Sequence, residues 1–186
     1  ALAALSPYPE ALREEYERVR PVMEAELSGQ QLARWFEAGI EMAGQSAHAW
    51  DTAAQYFRAS PGVRASVPPN YFAQWIDCGL SLSLESPTLG AAYFGAGART
   101  MAVLKARQIV EWTELGRGLY KGTWKSSTLA NRFFESTPHL LDQLSFEQLK
   151  RFVGFLDILS RHSYDLAAEC LVLGQRLFPI VGEDKD

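Results

Sequence analysis

The 186-residue sequence is poor in the residues that usually build metal and nucleophile sites, with two cysteines and three histidines. Cys78 and Cys170 are far apart and form no CxxC pair, so we expect buried thiols without a metal role. No histidine has a second histidine at ligand spacing, which excludes zinc sites of the HExxH type. Phosphate-binding GxxxxGK[ST] loops and GxSxG nucleophile elbows are also absent. The sequence therefore predicts no metal, no cofactor, no catalytic residue and a protein that is not an enzyme.

Long apolar runs and an excess of basic charge are also missing. No segment approaches the roughly 18 apolar residues of a membrane span, and no signal-peptide pattern occurs, so we predict a cytoplasmic protein without a membrane span. The chain starts with Ala1, as expected of a processed chain or a piece of a longer one. The net charge of −4 disfavours nucleic-acid binding, which needs a basic face. Residues 99 to 138 carry seven basic against three acidic side chains, as a solvated helix face or a strip for an acidic partner would.

A repeat dominates what is present. The stretch QLARWFEAG at 31–39 recurs as YFAQWIDCG at 71–79, as QIVEWTELG at 108–116 and, altered, as QLKRFVGFL at 148–156. The aromatic position of this stretch recurs at intervals of 40, 37 and 40 residues. These first anchors are Trp35, Trp75, Trp112 and Phe152. Periods of this length indicate stacked helical units.

A second anchor follows each first anchor. The spacing from first to second anchor alternates between 22 and 19 residues, whereas the spacing from each second anchor to the next first anchor is always 18. The second anchors are Phe57, Phe94, Phe134 and Leu171. The alternation indicates a superrepeat of 77 residues that contains two slightly different units.

We therefore predict an all-α fold, an α-α superhelix or solenoid of four repeats related in kind to TPR, HEAT and armadillo arrays. Each repeat should contain two or three helices, because Ser60-Pro61 and Thr137-Pro138 look like an N-cap followed by proline at the first position of a short third helix. The expected single domain covers 1–186 and divides as follows: a capping helix or partial repeat in 1–26, repeats in 27–66, 67–103, 104–143 and 144–181, and a polar tail in 182–186.

A glycine follows three of the tryptophans by four residues, at Gly39, Gly79 and Gly116. Glycine inside a helix costs about 1 kcal/mol relative to alanine. Because residues i and i+4 share one helix face, we expect these glycines to let a neighbouring helix come close around the indole. In the fourth unit the smaller Phe152 is accompanied by the larger Leu156, which keeps the combined volume level.

Two tryptophans, Trp50 and Trp124, fall outside the anchors, in the longer connections of units one and three. Such a residue either folds back onto the core or forms a hot spot of a binding surface. For the second case, Arg117, Lys121 and Lys125 would supply charge complementarity beside Trp124. These five residues are the candidate partner-binding residues.

The pattern L-x-x-W-x-x-x-G over 32–39, followed by A-x-x-Y-F-x-x-S-P over 53–61, resembles helical repeats found beside von Willebrand factor A domains in large bacterial proteins of the NorD-like and CbbO-like groups. The resemblance implies an adaptor that works with a MoxR-type AAA+ ATPase to remodel a client enzyme. The D-x-S-x-S metal motif of the von Willebrand domain does not occur here, so no metal site is implied.

The leading hypothesis is a non-catalytic scaffold or adaptor whose curved face binds another protein, a client or an AAA+ ATPase. The alternative is a sensor of small molecules or peptides with a groove lined by Trp50, Trp124 and Tyr120. A hydrolase with an unrecognised site is the third hypothesis, which a buried cluster of carboxylates or histidines would support.

Overall fold

The computed structural model describes residues 2–46 and 49–181, and within these ranges every regular element is an α-helix. The predicted all-α repeat fold is confirmed. The helices are α1 (Leu2–Leu5), α2 (Glu10–Glu26), α3 (Gly29–Gly44), α4 (Trp50–Ser66), α5 (Pro69–Glu85), α6 (Pro87–Met101), α7 (Gln108–Leu119), α8 (Trp124–Leu141), α9 (Phe146–Ser160) and α10 (Tyr164–Val181).

The helices form two layers. In the first layer α3, α5, α7 and α9 lie side by side, and in the second layer α2, α4, α6, α8 and α10 do the same. Each unit is one antiparallel pair across the layers: α3 with α4, α5 with α6, α7 with α8, and α9 with α10. We call these units one to four. The predicted tail, 182–186, lies outside the described residues.

The second helix of an incomplete preceding unit is formed by α2. It packs against α4 in the second layer, and Tyr16 precedes Trp35 by the same 19 residues that separate Tyr56 from Trp75. The short α1 packs on α2, where Leu5 is fully buried. The N-terminal segment was expected to be either a capping helix or a partial repeat. The position of α2 in the stack is that of a partial repeat.

The expected short third helix does not form, because α4 and α8 continue through Pro61 and Pro138. The residue before each proline does not cap a new helix. Instead the Ser60 hydroxyl donates to the carbonyl of Tyr56, and the Thr137 hydroxyl donates to the carbonyl of Phe133. Each hydroxyl thus bonds back into the helix that it was expected to terminate.

A column of stacked aromatic rings joins successive units. A tyrosine on the second helix of one unit stacks on the tryptophan of the next: Tyr56 on Trp75 at 5.8 Å between ring centroids, and Tyr93 on Trp112 at 4.7 Å. Tyr16 stacks on Trp35 in the same way at 5.7 Å. Such pairs add about 0.5–1.5 kcal/mol each beyond the burial of their area.

The glycines make room for the phenylalanine anchors. A β-carbon on Gly39, Gly79 or Gly116 would overlap the ring of Phe57, Phe94 or Phe134, respectively, in the same unit. Each of these rings meets the tryptophan of its unit edge to face, with centroids 5.0–5.1 Å apart. The group that comes close to the glycine beside each indole is therefore a phenylalanine ring, where we had expected the neighbouring helix as a whole. In unit four leucines take both places, Leu156 for the glycine and Leu171 for the phenylalanine, and both are fully buried.

The hydrogen bonds of the indole N–H groups also differ between alternate units. In units one and three, Trp35 Nε1 donates to Ser60 Oγ at 2.9 Å and Trp112 Nε1 donates to Thr137 Oγ1 at 3.2 Å. In unit two Gly97 stands at the equivalent position, and Trp75 Nε1 is buried without a partner in the described part of the chain. The hydroxyl therefore recurs once in each superrepeat.

Candidate functional site

The described residues contain no group of three or more His, Cys, Asp or Glu side chains that could hold a metal ion. In the same part of the chain, no helix is long and apolar enough to cross a membrane. Both cysteines are free, and the thiols that we expected to be buried are only partly buried against the core. Cys78 lies at the junction with Thr113 of the next unit, and burial raises the pKa of its thiol.

The two candidate tryptophans have different environments. Trp50 begins α4 and is half-buried against the core, as expected of a tryptophan that folds back onto the core. Trp124 begins α8 and is 75% exposed. Since α6 lies between α4 and α8, the two indoles are on separate parts of the second layer. The hydroxyl of Tyr120, the third aromatic residue of the sensor hypothesis, donates to the carbonyl of Glu85.

The three candidate basic residues are ion-paired within the chain. Arg117 pairs with Glu85 at 2.7 Å and with Glu114. Lys121 pairs with Asp157 at 3.5 Å, and Lys125 with Asp165 at 3.0 Å. The pairs with Glu85, Asp157 and Asp165 join neighbouring units. Three of the seven basic residues between 99 and 138 are thus paired with acidic residues of adjacent repeats.

The structure brings Trp124 and Lys125 together in a small groove between α8 and α10. The ammonium group of Lys125 lies 5.5 Å from the centroid of the Trp124 ring. The groove has a volume of about 280 Å³, and Arg132 and Tyr164 also line it. Arg117, Lys121 and Trp50 do not belong to its lining. Of the five candidate residues, two therefore share a site.

A larger groove runs along α6, between α4 and α8, with a volume of about 500 Å³. Its floor is low because α6 presents small residues there, and longer side chains of α4 and α8 form its walls. We call it the α6 groove. Its floor residues include Ala91, Ala92, Gly95 and Ala96. Sequence reasoning missed this groove, although the small residues of 90–98 were visible as a signal.

The polar groups of the α6 groove include an unpaired acceptor. Asn131 lies in its wall, and its buried Oδ1 has no hydrogen-bond partner in the described part of the chain. Leaving such a group unpaired costs about 1–3 kcal/mol. Arg99 and the carboxylates of Asp51 and Glu135 also line the groove, and none of the three is ion-paired within the described residues. The groove thus offers charges of both signs to a ligand, and its wall contains one buried acceptor without a partner in the described residues.

Two carboxylates away from the α6 groove have lowered pKa values. For Glu15, burial raises the pKa, but the guanidinium groups of Arg18 and Arg58 outweigh it, and the net shift is downward. The hydrogen bond from Arg161 lowers the pKa of Asp157, against a smaller effect of burial. The Arg58–Glu15 ion pair, at 3.0 Å, joins unit one to α2. Glu15 therefore contributes to the contact between successive repeats.

The two-layer stack of antiparallel helix pairs defines an α-helical repeat protein of the solenoid class. No family model, curated protein or solved structure matches the chain.

Proposed function

We propose that the chain is a non-catalytic scaffold that binds an extended segment of another protein in the α6 groove. The observation that carries the proposal is the buried, unpaired Oδ1 of Asn131 in the wall of that groove. A peptide backbone presents N–H donors at regular intervals, so a bound segment would supply the missing hydrogen bond once the Asn131 side chain turns its amide oxygen toward the groove.

The dimensions of the α6 groove suit a short segment. From Thr88 to Arg99 its floor extends about 16 Å, at the helical rise of about 1.5 Å per residue. An extended chain rises about 3.3 Å per residue, so about five residues would fill the floor. The alanines and glycine of α6 let a peptide backbone approach the helix closely.

The charges suggest which side chains the segment carries. Arg99 lies at the C-terminal end of the floor, whereas Asp51 and Glu135 lie on opposite walls. A segment with basic side chains near Asp51 or Glu135 and an acidic side chain near Arg99 would pair with charges of the groove that have no partner within the described residues. Charge matching of this kind contributes mainly to specificity and to the rate of association.

A small molecule fits the α6 groove less well than a peptide. Pockets for small ligands bury about 70–90% of the ligand surface. Here Asp51, Thr88, Gly95, Arg99 and Glu135 are all exposed, so a small ligand would remain largely in water. If the repeats act as their resemblance implies, the segment belongs to a client enzyme or to the AAA+ ATPase that remodels it.

The test is selection of peptides from a displayed random library on the intact chain, followed by measurement of their affinity for two variants. Gly95→Trp fills the floor of the groove, and the space there is open because a β-carbon would meet only Gln55 Oε1 at 3.7 Å. Gly118→Trp is the matched control, since nothing lies within 4 Å of a β-carbon at that position on α7.

We expect selected peptides to lose at least tenfold in affinity for the Gly95→Trp variant and to bind the Gly118→Trp variant unchanged. Asn131→Ala should weaken the same peptides. Equal binding to the wild type and to Gly95→Trp would remove the α6 groove from the proposal.

A further inference from the structure

The last unit exposes apolar side chains at positions that the other units bury. Leu89 of unit two is fully buried, whereas its equivalent 77 residues later, Leu166, is 46% exposed. Ala96 is 6% exposed, whereas its equivalent Leu173 is 48% exposed. Units one and three agree with unit two: their equivalent positions, Thr52, Ala59, Leu129 and Ser136, are all buried.

In unit two, the face that contains Leu89 and Ala96 packs against unit three, and other residues of the same face show this contact. Cys78 lies beside Thr113, Ser81 Oγ accepts a hydrogen bond of 2.9 Å from Arg117, and Tyr93 stacks on Trp112. The equivalent residues of unit four are Phe155, Ile158 and Cys170. Phe155 and Ile158 are both at least half exposed. We call the surface formed by these three residues with Leu166 and Leu173 the end face.

Compared with the internal junction, the end face is more apolar. Phenylalanine replaces Cys78, isoleucine replaces Ser81, and leucine replaces Ala96. A plain solvent-facing end would carry polar residues at these positions, because terminal repeats of solenoids have a polar outer face. Gly154 stands beside Phe155 in mid-helix, and nothing in the described structure lies within 4 Å of a β-carbon there. A glycine with open space permits close approach by a helix.

At the opposite end of the stack, α2 fills the second layer beside α4, and a groove of about 460 Å³ lined in part by Tyr16, Leu32 and Phe36 lies beside α3. On α2 the position equivalent to Phe57 is Glu17, which is exposed. The two ends therefore differ in the second layer, where α2 packs beside α4 at one end and no described helix packs beyond α10 at the other.

We propose that the end face binds a further two-helix unit of the kind formed by α3 and α4. In the superrepeat, a unit of the second kind is followed by one of the first kind. Unit four is of the second kind, so the unit that binds to it should resemble unit one or unit three. Unit three presents Thr113 and Arg117 to its neighbour, but unit one has Phe36 and Ile40 at these positions, both half-buried. Such a unit would place Phe36 and Ile40 equivalents opposite Phe155 and Ile158.

A second copy of the chain cannot supply this unit by stacking end to end. The place that α10 would take beside α4 of the second copy is already filled by its own α2. The proposed occupant is therefore a unit whose first and second helices are both free to pack against α9 and α10.

The test adds such a unit in register. Residues 28–104, which form units one and two, are joined directly after Val181 in place of 182–186. This keeps the constant spacing of 18 residues between Leu171 and the next tryptophan anchor. We expect a single thermal transition with a midpoint raised by about 5 °C or more. Amide hydrogen exchange in α9 and α10 should slow at least tenfold.

The double variant Phe155→Glu, Ile158→Glu should abolish both effects in the extended chain. Leu84→Glu, Val103→Glu is the matched control, because both positions are exposed apolar residues away from the end face. The proposal is overturned if the added units melt separately with the original midpoint unchanged. It is also overturned if the unextended chain sediments as a dimer that Phe155→Glu dissociates, since a second copy would then cover the face. The Gly95→Trp variant leaves this readout unaffected, so the α6 groove and the end face are tested separately.

Discussion

The ring of Phe94 occupies the space in which Gly79 lacks a side chain. A β-carbon on Gly79 would lie 2.9 Å from Cε2 of this ring and closer still to two other ring atoms. The glycine of the first helix and the phenylalanine of the second therefore form one packing unit, which Leu156 and Leu171 replace in unit four.

We expect Gly79→Leu to lower the free energy of unfolding by about 2 kcal/mol or more, because the core around Phe94 has no room for the added atoms. The double variant Gly79→Leu, Phe94→Leu reproduces the pair of unit four and should recover more than half of that loss. Denaturant titration of the two single variants and the double variant gives the coupling energy. A change below about 0.5 kcal/mol for Gly79→Leu would contradict the observed contact.

The hydroxyl of Thr137 is the acceptor for the indole of Trp112. Thr137→Val keeps the shape of the side chain but leaves a buried donor unpaired, which we expect to cost about 1–3 kcal/mol in a denaturant titration. Thr128→Val, on the more exposed side of the same helix, is the control and should change the stability by less than about 0.5 kcal/mol. Equal effects of the two substitutions would mean that the indole hydrogen bond contributes nothing.

Replacing Trp124 by alanine should affect the free energy of unfolding far less than replacing Trp112. Trp112→Ala empties a fully buried position, and we expect a loss of about 3–5 kcal/mol. Trp124 is 75% exposed, so Trp124→Ala should change the stability by less than about 0.5 kcal/mol. Acrylamide quenching of the remaining fluorescence provides a second measurement, because loss of Trp124 should remove the most accessible emitter. A large loss of stability in Trp124→Ala would contradict its exposure.

Stability should fall in acid partly through Glu15. The pKa of its carboxyl in the folded chain lies below the ordinary glutamate value of 4.5. A depressed folded pKa stabilises the protein above the unfolded pKa, and this contribution disappears as the pH falls through the folded pKa. We expect the denaturation midpoint to drop between about pH 5 and pH 3, and to drop less in the Glu15→Gln variant. Identical pH profiles for the variant and the wild type would show that the links from Glu15 to Arg18 and Arg58 do not stabilise the fold.

The sequence was sufficient to predict the helical units and the packing role of the glycines, because both depend on spacing along single helices. It was misleading at Ser60-Pro61, since a hydroxyl residue before proline looks the same at a helix start and inside a helix. Only the partner, Trp35 Nε1, which comes from another helix, distinguishes the two cases.

The small residues of 90–98 were visible in the sequence, but they alone could not predict the α6 groove, for a related reason. Its floor belongs to one unit and its walls to two others, so Asp51, Gly95 and Asn131 meet only after the units have stacked. The exposure of Trp124 was likewise undecided, because a tryptophan in a connection has the same neighbours in sequence whether it points inward or outward.

The layered arrangement also has a consequence for how the chain reaches its native state. The main helix contacts join partners close in the chain, as α4 with α6 and α6 with α8 do. Low contact order of this kind is typical of proteins that fold in microseconds to milliseconds. Structure can begin at any pair of neighbouring repeats and spread in both directions, so no obligatory first nucleus is required.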